Sequence, residues 1–118
     1  MSAPIQHISR NSVLAALSQH IGAANGITAA DLVRYITGDL LCDAAGERLL
    51  RSVVSELRGE GIAVCAHPAH GYFIAETPDE VDLCCRFLRD RAMHSLVLEA
   101  KLRKLPLPDL LGQIRLPT

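Results

Sequence analysis

The side chains best suited to chemistry gather between Asp43 and Ala75. Leu49, Leu50, Val53, Val54 and Leu57 recur at helical spacing and form one apolar stripe, so Glu47, Arg48, Arg51, Ser52, Ser55 and Arg58 fall on the other side. That side offers guanidinium and hydroxyl donors. Presented to a duplex, Arg48, Arg51, Ser52 and Ser55 would reach base edges or phosphates, and Arg58, near the helix end, would meet the backbone. Arginine suits guanine because its guanidinium donates two parallel hydrogen bonds to O6 and N7. Glu47, Glu56 and Glu60 oppose such a use unless they face away.

A second set of candidates follows the helix. His67 and His70 gain charge only as pH falls toward about 6.5, the ordinary imidazole value, so the plainer reading is a pair of exposed turn residues. Cys65, His67 and His70 form a C-x-H-x-x-H run. A structural zinc site needs four ligands, and strand alternation sends Cys65 and His67 one way while leaving His70 in the turn, a spacing that matches no recognised ligand pattern. No metal or cofactor is expected. Cys42, Cys65, Cys84 and Cys85 lack C-x-x-C spacing, and Cys84 and Cys85 diverge by about 100° on a helix, so reduced and mostly buried thiols are expected. Tyr72 and Phe73 alternate along a strand, one into the core and the other outside. There is no G-x-S-x-G, phosphate-cradling glycine loop, H-E-x-x-H or carboxylate pair whose spacing demands chemistry, so the chain reads as a non-enzyme with no evident small-molecule substrate.

The elements that must position these residues have clear punctuation. After a frayed start over Met1 to Ile8, Ser9 or Asn11 caps a first helix through about Ile21, with Val13, Leu14, Leu17 and Ile21 on its apolar side. Gly22 to Gly26 form a loop. Thr28 caps a second helix from about Ala29 to Thr37, with Asp31 in the capping-box position and Ile27 and Leu32 placed as a hydrophobic staple. Leu32, Val33, Tyr35 and Ile36 are its expected core contacts, and Gly38 ends it. Asp39, Leu40, Leu41 and Cys42 then make a long turn, which either carries an extra half-turn or lets the third helix start early, a choice Gly46 weakens.

Gly59 and Gly61 stop the third helix, and two short strands, Ile62 to Ala66 and Gly71 to Ala75, follow. Thr77, Pro78, Asp79 and Glu80 open a last helix running to about Leu105, which would be on the order of 40 Å long. Val81, Leu83, Cys84, Phe87, Leu88, Met93, Leu96, Val97, Leu98 and Leu102 cover more than one stripe, so this helix packs on its own domain and on something else besides. Its basic residues, Arg86, Arg89, Arg91, Lys101, Arg103 and Lys104, read either as a solvated face or as phosphate contacts. Pro106 and Pro108 end it. The leucine-rich segment Asp109 to Leu116 docks on a partner subunit or folds back over its own core.

With 118 residues, 49% hydrophobic and 21% charged, the chain suits one ordinary globular domain. No apolar run approaches the roughly 18 residues that span a bilayer, and the N-terminus lacks signal-peptide order, so a soluble cytoplasmic protein with no membrane partner is expected. The formal net charge of −1 means that affinity for nucleic acid must rest on a local patch.

The order of three helices and a hairpin resembles the winged helix-turn-helix family. Thr28 to Gly38, Leu50 to Ile62 and the strand Gly71-Tyr72-Phe73-Ile74-Ala75 carry the resemblance. The T-P-D-E start and L-P-D-L-L-G-Q tail look like small phage and prophage helix-turn-helix proteins. The resemblance implies an α+β, mostly α fold: a winged helix over residues 1–76, with a long C-terminal helix and tail over 77–118. It further implies double-stranded DNA binding in a transcription-regulatory or replication-associated role, with the third helix in the major groove and the hairpin, with His67 and His70, at the backbone or minor groove. A homodimer through the Pro78 to Leu105 helix would set two such helices on one duplex. The rival reading is a protein-interaction module that works through that last helix and tail without touching DNA.

Overall fold

Ser9, Thr28 and Asp43 each stand just ahead of an apolar periodic segment, and each accepts a backbone hydrogen bond that starts a helix. A computed structural model describes residues 7–38 and 43–114. Its elements are α1 (Arg10–Leu17), α2 (Ala29–Thr37), α3 (Ala44–Gly59), β1 (Val64–His67), β2 (Gly71–Ile74), α4 (Pro78–Arg103) and α5 (Leu107–Gln113), with a short 3-10 turn at Ala23–Asn25. The fold is α+β and mostly helical, with a two-stranded antiparallel sheet and one long helix. Two compact units divide the chain, Met1–Cys84 and Cys85–Thr118, so their boundary falls inside α4. The expected turn at residues 39–42, including Cys42, lies outside the described residues, as do residues 1–6 and 115–118.

In the first unit, α1, α2 and α3 close around Val13, Ala16, Leu17, Leu32, Val33, Ile36, Leu50, Val53, Val54 and Leu57, joined by Val64 of β1. Asp43 Oδ1 accepts from the Gly46 amide at 2.7 Å, which starts α3 at Ala44. Gly61, at φ 88°, takes the left-handed conformation that closes α3, while Gly59 remains the last helical residue. Two residues expected in this core are outside it: Tyr35 is 47% exposed and Leu49 49% exposed. Each is apolar at the edge of a stripe wider than the three-helix contact can cover.

The first helix also differs from expectation. It ends at Leu17, short of Ile21, because the backbone beyond it is taken by the sheet. Ile74 donates to His20 O at 2.8 Å, and Gly22 donates to Ile74 O at 2.8 Å. Further along, Ile27 and Tyr72 exchange both bonds, at 2.9 and 2.7 Å. The segment between α1 and α2 thereby lines the outer edge of β2, and Ile21 is left 40% exposed. Such close approach needs glycine. Gly71 sits at φ 76°, where a Cβ would run into the Ile27 carbonyl, and a Cβ on Gly26 would run into the His70 carbonyl.

The ribbon pairs Val64 with Ile74, Cys65 with Phe73, Ala66 with Tyr72 and His67 with Gly71. Alternation divides its faces. Tyr72 and Ile74 pack partly against the helical core. Phe73, only 1% exposed, forms a second small core with Cys65 and Cys84, flanked by Ala23 and Ala75. Neither face of the ribbon is bare, so Tyr72 is half-buried rather than outside. Among the described cysteines, all free, Cys65 and Cys84 are buried and Cys85 is exposed.

The start of α4 is held by one carboxylate. Glu80 N donates to Thr77 Oγ1 at 3.2 Å. The Glu80 side chain accepts from Glu76 N at 2.7 Å through Oε1 and from Ala23 N at 2.6 Å through Oε2, tying this helix start to the 3-10 turn. These backbone donors, Ala23 first, hold the Glu80 carboxyl below its ordinary value.

The second unit contains the remainder of α4, then Lys104 at φ 55°, and α5, which carries Pro108 in its first turn instead of being excluded by it. Ala100 and Leu110 are its buried residues among those described. No helix among the described residues is long and apolar enough to cross a membrane.

Gly71→Ala should lower unfolding free energy by about 2 kcal/mol or more in urea denaturation. Gly59→Ala, which meets nothing within 4 Å, should raise it by about 0.5–1 kcal/mol. Equal effects would contradict the close approach at Ile27. Because the folded carboxyl of Glu80 lies below the ordinary 4.5, its stabilisation is present above that pH and fades as pH falls through the lowered folded value. Glu80→Gln should therefore flatten the acid side of a Tm–pH profile.

Candidate functional site

Four buried residues set the orientation of α3. Leu50, Val53, Val54 and Leu57 face the core, so Arg48, Ser52, Ser55 and Gly59, spaced by four, three and four residues, form the opposite, outward line. Arg48, Ser52 and Ser55 are exposed, as is Arg51 on the side toward the ribbon. Among the described residues no carboxylate lies within ion-pair distance of Arg48 or Arg51.

The acids of the helix are placed apart from that line. Glu60 is gripped by Arg10 of α1, whose Nη2 and Nε donate at 2.6 to 2.9 Å. This contact holds the Glu60 carboxyl below its usual range and raises the Arg10 guanidinium. Glu56 also acts on Arg10 and so belongs to the same flank. Glu47 lies on the ribbon side, partly buried, where it acts on the Tyr72 phenol together with Arg58 and Arg51.

Arg58 is committed in part. Its Nε donates to Val64 O at 2.8 Å, joining the last turn of α3 to the first residue of β1. The structure thus makes Arg58 a brace between helix and ribbon. Arg48 and Arg51 remain outward-facing cations.

At the far end of the ribbon, the His70 amide donates to the His67 carbonyl at 3.0 Å to close the turn. His67 Nδ1 accepts from Ala69 N at 3.1 Å, which leaves the proton of the neutral ring on Nε2. The two imidazoles lie 5.4 Å apart, and His70 stands edge-on to Phe73 at 6.2 Å. Cys65 does not join them. Its thiol points to Glu80 O at 3.8 Å, and burial, then the neighbouring Cys84, pushes it up to about 12. Among the described residues no three of His, Cys, Asp or Glu converge into a group that could hold a metal ion.

Tyr72, read from the sequence only as one of two alternating strand aromatics, is the residue whose link to α3 was not foreseen. Burial raises its phenol, and the nearby Arg58 and Arg51 partly offset that rise. The phenol therefore feels charges of α3, Glu47 among them, as well as the burial of the ribbon. Strand alternation separated Tyr72 from Phe73, but only the packing of the ribbon on α3 decides which of them meets the arginines.

Compared with protein-family models, curated proteins and solved structures, the chain matches none.

The brace and the outward cations should separate in stability measurements. Arg58→Ala leaves the Val64 carbonyl without its charged donor and should cost about 1–2 kcal/mol. Arg48→Ala and Ser52→Ala should stay within about 0.5 kcal/mol of the parent. Urea denaturation decides, and an Arg48→Ala variant as destabilised as Arg58→Ala would show that Arg48 also holds the fold.

Proposed function

We propose that this chain binds double-stranded DNA as a winged helix, with α3 in the major groove and the ribbon against the flanking backbone, in a regulatory or replication-associated role of the phage type. The observation that carries the reading is the division of charge around α3. Arg48, Arg51, Ser52 and Ser55 are exposed, Arg48 and Arg51 with no carboxylate at ion-pair distance among the described residues, while Glu60 is engaged by Arg10 on another flank. Those side chains are donors, and both phosphate oxygens and the guanine edge are acceptors. Packing of α3 on α1 and α2, with a ribbon directly after it, supports presentation of the helix as a rigid unit.

In this reading Arg48 and Arg51 reach into the groove, Ser52 and Ser55 add short-range bonds, and Arg58 with Tyr72 contacts phosphate where helix and ribbon meet. His67 and His70 at the ribbon's turn stand near the next stretch of backbone. With a net charge of −1, binding must rest on these local contacts and not on bulk attraction, and the same near-neutral charge favours the rival reading. Exposed Leu88, Leu98 and Leu102 favour the second reading, a protein-interaction module.

Fluorescence anisotropy with mixed-sequence duplex across a salt series tests this. Log affinity should fall linearly with log salt, with a slope of a few units. Arg51→Ala should weaken binding by about 1–3 kcal/mol if it reads a base, or lower the slope by about one if it meets a phosphate. No detectable binding at low salt, or affinity unchanged by the combined Arg48→Ala and Arg51→Ala substitutions, would sink the proposal.

A further inference from the structure

The unit Cys85–Thr118 is shorter than the about 40 residues below which a chain rarely sustains its own core. It nonetheless keeps large apolar side chains in water. Leu88, Ser95 and Leu102 recur every seven residues on α4, with Arg91 and Leu98 three residues after the first two, so all five share one seam. Leu88 is 41% exposed, Leu98 47% and Leu102 85%.

Leu88 and Leu102 of the seam stand seven residues to either side of Ser95, and Arg91 of the seam and Glu99, which borders it, stand four. Leucine thus stands opposite leucine, and the guanidinium of Arg91 has the carboxylate of Glu99 at the matching distance beyond the centre. A surface complementary to itself after a half-turn is what an isologous two-fold contact requires.

We propose that this seam is a homodimer interface, covered by the same seam of a second copy lying antiparallel with the two-fold axis at Ser95. Leu88 then packs on Leu102 of the partner subunit, and Arg91 faces Glu99 of the partner subunit. The small Ser95 lets the two helices approach closely at the axis. A parallel pairing would set Arg91 against its own copy, a like-charge contact inside the seam, and would align the two helix dipoles.

Existing contacts are compatible with the pairing. Glu99 accepts from Arg103 Nε at 2.8 Å through Oε2, and a carboxylate has a second oxygen to offer. The Arg91 guanidinium lies 5.9 Å from the Phe87 ring centroid, where it flanks the seam. The proposal is independent of the reading of α3, since a dimer forms through this seam whether or not α3 binds DNA.

Sedimentation of the full chain at micromolar concentrations should give the dimer mass. Leu102→Asp changes a side chain already mostly in solvent, so the subunit fold survives while the dimer dissociation constant rises by about tenfold or more. Arg91→Glu and Glu99→Arg should each weaken the dimer, and the two together should restore it. In a Cys85→Ser background, Ser95→Cys should crosslink to its own copy under glutathione disulfide, whereas Leu88→Cys should not. A monomer at every concentration, a dimer indifferent to Leu102→Asp, or equal self-crosslinking of Leu88→Cys would overturn the proposal.

Discussion

Two backbone hydrogen bonds between Ile27 and Tyr72 hold the ribbon against the helices. An isolated two-stranded hairpin is marginal in water, because it has one pair of strands and two edges to satisfy. Here the outer edge of β2 is closed by the segment between α1 and α2, one face packs toward the helical core, and the other encloses Phe73 with Cys65 and Cys84. Glycine at 26 and 71 permits the approach, and Glu80 fastens the 3-10 turn to the start of α4. A ribbon held on an edge and both faces has a fixed position relative to α3. Any surface built jointly from α3 and the ribbon depends on that.

The helical core supplies the other half of this rigidity. Leu50 and Leu57 are fully buried, and Val53 and Val54 nearly so, each burial contributing roughly 1.5–3 kcal/mol. Since these four leave no freedom to rotate α3, the outward line of Arg48, Ser52 and Ser55 follows from the positions of the valines and leucines. Arg58 adds a direct tie to Val64, so one helix is fixed along its length by apolar contacts and at its end by a charged hydrogen bond.

Local signals were legible in the sequence wherever the physics is local. Thr28 with Asp31, and Thr77 with Glu80, mark helix starts because a cap and its target lie within one turn. The apolar stripe of α3 gave the outward arginines for the same reason. What stayed hidden depends on contacts distant in the chain. Ile21 fits the spacing of α1, but its neighbours' backbone groups go to Ile74. Tyr35 and Leu49 fit their stripes, yet apolar spacing does not say how wide the packed strip is. Nothing near Tyr72 in sequence announces Arg51 and Arg58, and nothing near Glu60 announces Arg10.

That last contact bears on how a chain of net charge −1 distributes its charge around α3. Within α3 and its two caps, Arg48, Arg51 and Arg58 are outnumbered by Asp43, Glu47, Glu56 and Glu60, so the helix as a whole offers no excess positive charge. Its distribution differs. Glu60 is engaged by Arg10 at 2.6 Å, and Glu56 lies on the same flank, away from Arg51 and the ribbon. A helix with its side chains is about 10–12 Å across, and charges in water are screened over about 8 Å at physiological salt. An anion meeting the outward line therefore responds first to Arg48, with Glu56 and Glu60 on the far flank attenuated by distance, while Glu47, one turn from Arg51 on the ribbon side, offsets part of the charge of Arg51. Sorting charge around a single helix, with no change in composition, sets Arg48 apart from the Glu56 and Glu60 flank.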